Sequence, residues 1–168
     1  MNVKKIYLDM DGVLADFDRG VIELLGRVPL KQGISTREED DELYEAMRQI
    51  DHFYGRLEPM EGAKKLFNTI SNKYGDKCEI LTGVPSPRRC INQASSDKIE
   101  WVKRYLSDSV VCNTVRRVEK IQFCTGKDCI LIDDFDWNIN DWENAGGTGI
   151  LYTDCESTLN KLKEFGIL

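Results

Sequence analysis

The chain has 168 residues, 41% hydrophobic and 31% charged, a composition that fits one soluble globular domain with room for a small insertion. A net charge of −6 and a pI near 4.9 argue against a nucleic-acid polymer as partner, which calls for a basic stripe. No apolar run approaches the roughly 20 residues that span a bilayer, and Met1 to Lys5 leads into a strand, so no membrane partner and a cytoplasmic location are expected. The six cysteines include no C-x-x-C pair, and the single His52 leaves little for a zinc site. Buried, reduced thiols are expected, with a Cys124/Cys129 redox pair as the alternative.

In chain order, a β-prone run from Val3 to Leu8 ends in Asp9 and Asp11, one residue apart, followed at once by Gly12. Residues i and i+2 of a strand share a face, so the two carboxylates start out close unless the backbone turns between them. Such a pair needs a proton or a cation, and Mg²⁺ typically takes one or two carboxylates together with substrate phosphate. From Asp16 to Arg27, Phe17, Val21, Leu24 and Leu25 recur at helical spacing. Ser35 with Glu38 and Thr36 with Glu39 form two overlapping capping boxes, opening a second helix that runs to about Asp51. With no strand signal between Asp18 and Glu58, residues 18–58 read as a helical insertion and residues 1–17 and 59–168 as the body.

Ala63, Leu66, Phe67, Ile70 and Tyr74 give a helix stopped by Gly75, and a compact strand from Lys77 to Thr82 follows. Ser95-Ser96-Asp97 reads as an N-cap, which puts Lys98 in a first helical turn, where its charge opposes the helix dipole and points to an anion as its partner. A strand at Val110 to Val115 leads into the basic segment Arg116 to Lys120. The run Cys129 to Asp134 repeats the opening design, an apolar strand ending in two acids. Asn138 caps a short helix, Gly146 to Gly149 turns the chain, Ile150 to Tyr152 forms the last strand, and Leu159 and Leu162 mark a closing helix. The βαβ rhythm predicts an α/β fold with a parallel sheet and a ligand at the carboxyl ends of its strands.

Singly, an Asp133-Asp134 pair is a turn former and Thr82 a strand residue. Jointly, two strands end in paired acids, a third ends in threonine, and a lysine lies between them. The pattern Asp9-Met10-Asp11-Gly12-Val13, Thr82, Lys98, Asp133-Asp134 resembles the haloacid dehalogenase superfamily of phosphohydrolases. Within it, the segments Asp9 to Phe17, Leu57 to Ala63, Lys98 to Val102 and Leu131 to Asp134 are similar to the 5′(3′)-deoxyribonucleotidase branch.

This resemblance implies a Rossmann-like three-layer sandwich with a parallel central sheet and a small α-helical cap. Asp9 would be the nucleophile and Asp11 the acid and base. Thr82 and Lys98 would hold the phosphoryl group. Mg²⁺ would be bound by Asp9, the Asp11 backbone carbonyl and an acid of the Asp133-Asp134 pair. Phe17 would lie against the nucleobase. The expected activity is that of a 5′-nucleotidase acting on nucleoside monophosphates through an aspartyl-phosphate, and the branch implies a homodimer. The alternatives are a phosphatase for another ester, such as a sugar phosphate, and a phosphate sensor that has lost turnover.

Overall fold

The computed structural model describes residues 2–31 and 33–168. Five strands, β1 (Lys5–Leu8), β2 (Cys78–Gly83), β3 (Cys112–Val115), β4 (Cys129–Asp133) and β5 (Thr148–Leu151), form one parallel sheet in the order β3-β2-β1-β4-β5. The chain lays down β1 to β3 moving outward on one side, then crosses to the other side of β1 for β4 and β5. Such a reversal opens a crevice at the carboxyl ends of the strands that flank it. In register, Leu8 is opposite both Ile80 of β2 and Ile132 of β4, so Asp9, Thr82 and Asp133 arrive together at that crevice.

Helices cover both faces because the strands are apolar on both. Ile6, Leu8, Ile80, Ile130 and Ile132 point into the larger core, with Leu66, Phe67 and Ile70 of α3 (Ala63–Tyr74), Trp101 and Val102 of α4 (Ala94–Tyr105), and Leu159 and Leu162 of α6 (Cys155–Glu164). The alternate residues Tyr7, Leu81, Cys129 and Leu131 face the other way, against Ile139 and Trp142 of α5 (Asp136–Asn144). The fold is the α/β layered sheet expected from the sequence. All six cysteines are free thiols. Among the described residues, no helix is long and apolar enough to cross a membrane.

Between β1 and α3 lie α1 (Phe17–Leu25), α2 (Arg37–Arg48) and a 3₁₀ turn, Tyr54–Arg56. Asp16 caps α1 by accepting from the Arg19 amide, and Gly26 ends it in the left-handed region. Of the two capping boxes expected for α2, the Thr36/Glu39 pair forms, while the Ser35 hydroxyl donates instead to Asp40. The chain leaves and re-enters the body through a narrow neck: the Asp16 amide donates to the Glu58 carbonyl (2.8 Å) and the Met60 amide to the Leu14 carbonyl (2.8 Å). Phe53, Tyr54 and Leu57, at the returning end, are buried in the larger core.

Candidate active site

β1 stops at Leu8, and the chain then turns sharply. The Met10 carbonyl accepts from the amides of Leu14 and Ala15 (both 2.8 Å), while Met10 itself is wholly buried. This turn separates the two acids of the opening motif: Asp9 stays in line with the strand and Asp11 swings over the sheet edge toward β2. Gly12 makes the turn with φ +76, and a Cβ there would lie 2.2 Å from Asp134 Oδ2. The glycine therefore serves two ends, a left-handed backbone and room for a carboxylate from β4.

Two lysines come in from opposite sides. Lys98 of α4, fully buried, donates from Nζ to Asp11 Oδ2 (2.5 Å), Thr82 Oγ1 (2.9 Å) and the Gly83 carbonyl (2.8 Å), with the Tyr54 ring 4.5 Å from its nitrogen. Lys120, on the 3₁₀ segment Arg117–Phe123, donates to Asp133 Oδ2 (2.7 Å) and lies 3.0 Å from Asp9 Oδ1. The second contact is an ion pair, and the buried Asp9 Oδ1 has no other partner among the described residues.

Asp133 is held from behind. The Phe135 amide donates to its Oδ1 (3.0 Å), and the Asn138 amide nitrogen donates to both of its oxygens (3.0 Å each). Asp9, Asp133 and Asp134 each bring a carboxylate oxygen to within 4.8 Å of the other two. Burial, then the neighbouring charges of Asp9, Asp133 and Asp11, push Asp134 up to about 8. Asp133 is raised by burial and by Asp9, against the pull of Lys120. Asp11 is raised by burial more than Lys98 lowers it, with Asp9 adding to the rise. For Lys120, burial favours the neutral amine, but Asp9 and Asp133 outweigh it and hold the ammonium well above its usual range. Carboxylates so crowded, in an all-oxygen cluster, fit a hard divalent cation such as Mg²⁺. The site thus offers a carboxylate oxygen on Asp9 that faces the Lys120 ammonium, an Asp11 carboxyl raised by burial, and two ammonium groups.

The model of a family described as "5′ nucleotidase, deoxy (Pyrimidine), cytosolic type C protein" matches residues 2–161. The chain belongs to that family. It is accordingly a phosphoric monoester hydrolase. The human cytosolic-type 5′(3′)-deoxyribonucleotidase is 27% identical over 173 residues, covering 91% of this chain and 81% of that protein. Two solved structures share the fold. A haloacid dehalogenase-like hydrolase of Streptococcus pneumoniae gives a TM-score of 0.61 at 12% identity, covering 95% of this chain and 90% of that one. YfnB of Bacillus subtilis, a HAD-hydrolase bound to magnesium, gives 0.60 at 13% identity, covering 90% and 89%.

The structure of this type C nucleotidase relative brings Asp9, Asp11, Thr82, Lys98, Asp133 and Asp134 into one crevice. The Phe17 ring is edge-on to Phe53 (5.8 Å between centroids) and tilted on Tyr54 (6.3 Å), the ring that lies against Lys98. Two local expectations differ. α4 begins at Ala94 with Gln93 as its cap residue, so Lys98 lies about a turn into the helix and its charge no longer opposes the dipole at close range. The Ser95 hydroxyl pairs with Thr114 rather than capping. Asn138 does not cap α5 but sits inside it, gripping Asp133. Sequence reasoning also passed over Lys120. Its signal was the basic segment after β3, Arg116 to Lys120.

Proposed function

We propose that this chain is a Mg²⁺-dependent 5′-nucleotidase that hydrolyses nucleoside monophosphates through an aspartyl-phosphate on Asp9. The observation that supports it most is the split of the opening acid pair between two lysines, Asp9 beside Lys120 and Asp11 bonded to Lys98. Two carboxylates in unlike environments can take unlike roles.

In this reading the Asp9 carboxylate attacks phosphorus; an Asp9–phosphorus bond forms and the phosphorus–ester oxygen bond breaks. Asp11, inclined to hold its proton, gives it to the leaving alkoxide. In the second half it takes a proton from water as the water oxygen attacks phosphorus, releasing inorganic phosphate and freeing Asp9. Thr82, Lys98 and Lys120 stabilise the charge that develops on the phosphoryl oxygens, where fixed donors in a dry site act most strongly. Asp9, the Asp11 carbonyl and Asp133 with Asp134 would hold Mg²⁺, which supplies electrostatic stabilisation of the phosphoryl oxygens when bound.

Residues 18–58 serve as the cap over the leaving group, and Phe17, at the end of an aromatic cluster with Phe53 and Tyr54, gives the base a face on which to stack. The family description, with its deoxy and pyrimidine terms, and the human relative favour nucleotides over sugar phosphates as substrate.

Asp9→Asn is expected to lower hydrolysis of p-nitrophenyl phosphate by more than about 10³-fold while leaving the melting temperature near that of the wild type. Substantial residual turnover would sink the nucleophile assignment. Scoring kcat/KM across deoxynucleoside monophosphates, ribonucleoside monophosphates and sugar phosphates tests the substrate class, and equal values across the panel would reject the nucleotidase reading.

A further inference from the structure

His52, the only histidine of the chain, sits on the returning arm of the insertion, directly before Phe53 and Tyr54. Its backbone is left-handed (φ 55), a conformation that a non-glycine side chain adopts at a cost unless the surroundings hold it. What holds it is a 2.7 Å hydrogen bond from Nδ1 to Asp97 Oδ1. Asp97 is only 5% exposed, and its second oxygen is buried without a hydrogen-bond partner among the described residues. The residue before His52 makes a parallel contact, Asp51 Oδ1 accepting from Gln93 Nε2 (2.8 Å). Asp51 and His52 together thus grasp the start of α4. Further along the same helix, Trp101 and Arg104 donate to the carbonyls of Leu57 (2.7 Å) and Gly55 (3.0 Å).

The residue after Asp97 is Lys98, whose nitrogen joins Asp11, Thr82 and Gly83 and lies under the Tyr54 ring. A buried carboxylate stripped of its one donor is strongly unfavourable, and the chain relieves it by turning the carboxylate toward water. Asp97 and Lys98 are consecutive in α4, so a shift of its first turns that exposed Asp97 would also move Lys98 relative to Asp11 and Thr82. Gly55 lies beside Asp97 and His52: a Cβ on it would be in ordinary van der Waals contact, 3.7 Å, with Asp97 Cγ and with His52 Cβ. The charged groups around the imidazole are Asp97, Asp51, whose Oδ2 is 3.8 Å from Nε2, and Arg56, which opposes them.

We propose that His52 is a positioning residue, which, by holding Asp97, fixes both Lys98 over Asp11 and Thr82 and the Phe53–Tyr54 pair against it, so that seating of the insertion and placement of the lysine are one event. This inference rests on the nucleotidase reading for its kinetic consequence and on geometry alone for its structural one.

Three variants separate the causes. His52→Gly removes the donor while favouring the left-handed backbone, His52→Asn tolerates that backbone and returns an amide donor near the place of Nδ1, and Asp97→Asn removes the acceptor charge. With p-nitrophenyl phosphate, His52→Gly is expected to lower kcat about 10-fold with KM within about twofold, and His52→Asn to recover most of it. Asp97→Asn, whose Oδ1 still accepts from Nδ1 and which leaves no buried charge to relieve, should lose less than about threefold, and a loss as large as that of His52→Gly overturns the proposal. Equal kcat for His52→Gly and wild type, or no recovery in His52→Asn, overturns the proposal. In the absence of substrate, amide exchange at Asp97 and Lys98 should quicken about 10-fold in His52→Gly, while that of Trp101 to Tyr105 stays slow. Unchanged exchange at Asp97 and Lys98 overturns it whether or not the chain turns over phosphate. Residual activity in Asp9→Asn, with the exchange result as expected, would overturn the nucleophile assignment and leave the His52 contact standing.

Discussion

Lys98 and Lys120 are both buried and both end on a carboxylate, yet their surroundings differ in a way that separates their tasks. An ammonium carries three donors. Lys98 has partners for all three, in Asp11, Thr82 and Gly83, and an aromatic ring beside it. It is a fixed post. Lys120 meets two carboxylates, which leaves one of its three donors without a carboxylate partner. The first lysine comes from a regular helix anchored by Trp101, the second from a 3₁₀ segment in a connection. The crevice thus combines one cation whose donors are all engaged with another that still has a bond to offer.

Substitution of the two lysines tests that contrast most sharply. Lys120→Met is expected to lower kcat by about 10³-fold, and Lys98→Met by about 10²-fold, in a p-nitrophenyl phosphate assay. Equal losses would erase the distinction. In urea unfolding without metal, Lys120→Met leaves Asp9 and Asp133 facing each other and should cost about 3–5 kcal/mol. Lys98→Met should cost about 1–3 kcal/mol, because it strips the donor from one carboxylate and leaves no pair of acids face to face. If Mg²⁺ occupies the acid cluster, it should restore part of the first loss and little of the second, and EDTA should abolish turnover of the wild type.

A smaller effect is expected at Gly12. A methyl group there meets Asp134 Oδ2, so Gly12→Ala should weaken Mg²⁺ activation by about 10- to 100-fold while both lysine contacts persist. An unchanged Mg²⁺ titration would remove Asp134 from the metal set.

The smallest is a pH dependence at His52. The Asp97 hydrogen bond, aided by Asp51, raises the imidazole above its ordinary 6.5. A raised folded-state value means that the stabilisation is fully present below 6.5 and is lost as pH climbs through the higher folded value. The melting-temperature gap between wild type and His52→Asn should therefore be wider at pH 5.5 than at pH 8.5. A gap independent of pH would mean that the neutral ring suffices.

The sheet and its helices were legible because apolar periodicity and glycine stops carry them, and Asp9, Asp11, Thr82 and Asp133 because strand ends in a parallel sheet converge. Lys120 was not, since a 3₁₀ segment has no periodicity to mark an inward face. Asn138 was misread for a related reason: Asn before an apolar run suits a cap, and only the third dimension reveals Asp133 behind it. The start of α4 was placed two to four residues late because Ser95, Ser96 and Asp97 look like caps, whereas Ser95 is engaged with Thr114 of β3, a contact remote in sequence. Asp97 and His52 are 45 residues apart, and no local pattern joins them.

The neck at Leu14–Asp16 and Glu58–Met60 bears on how such proteins diversify. Its two ends are already pinned by backbone hydrogen bonds, so a stretch of different length between them alters loop-closure entropy only logarithmically. The intervening stretch is a cassette. Its length can change between the neck and the Phe53–Leu57 return, which packs in the core, while the strand ends that carry Asp9 and Asp133 keep their places in the sheet.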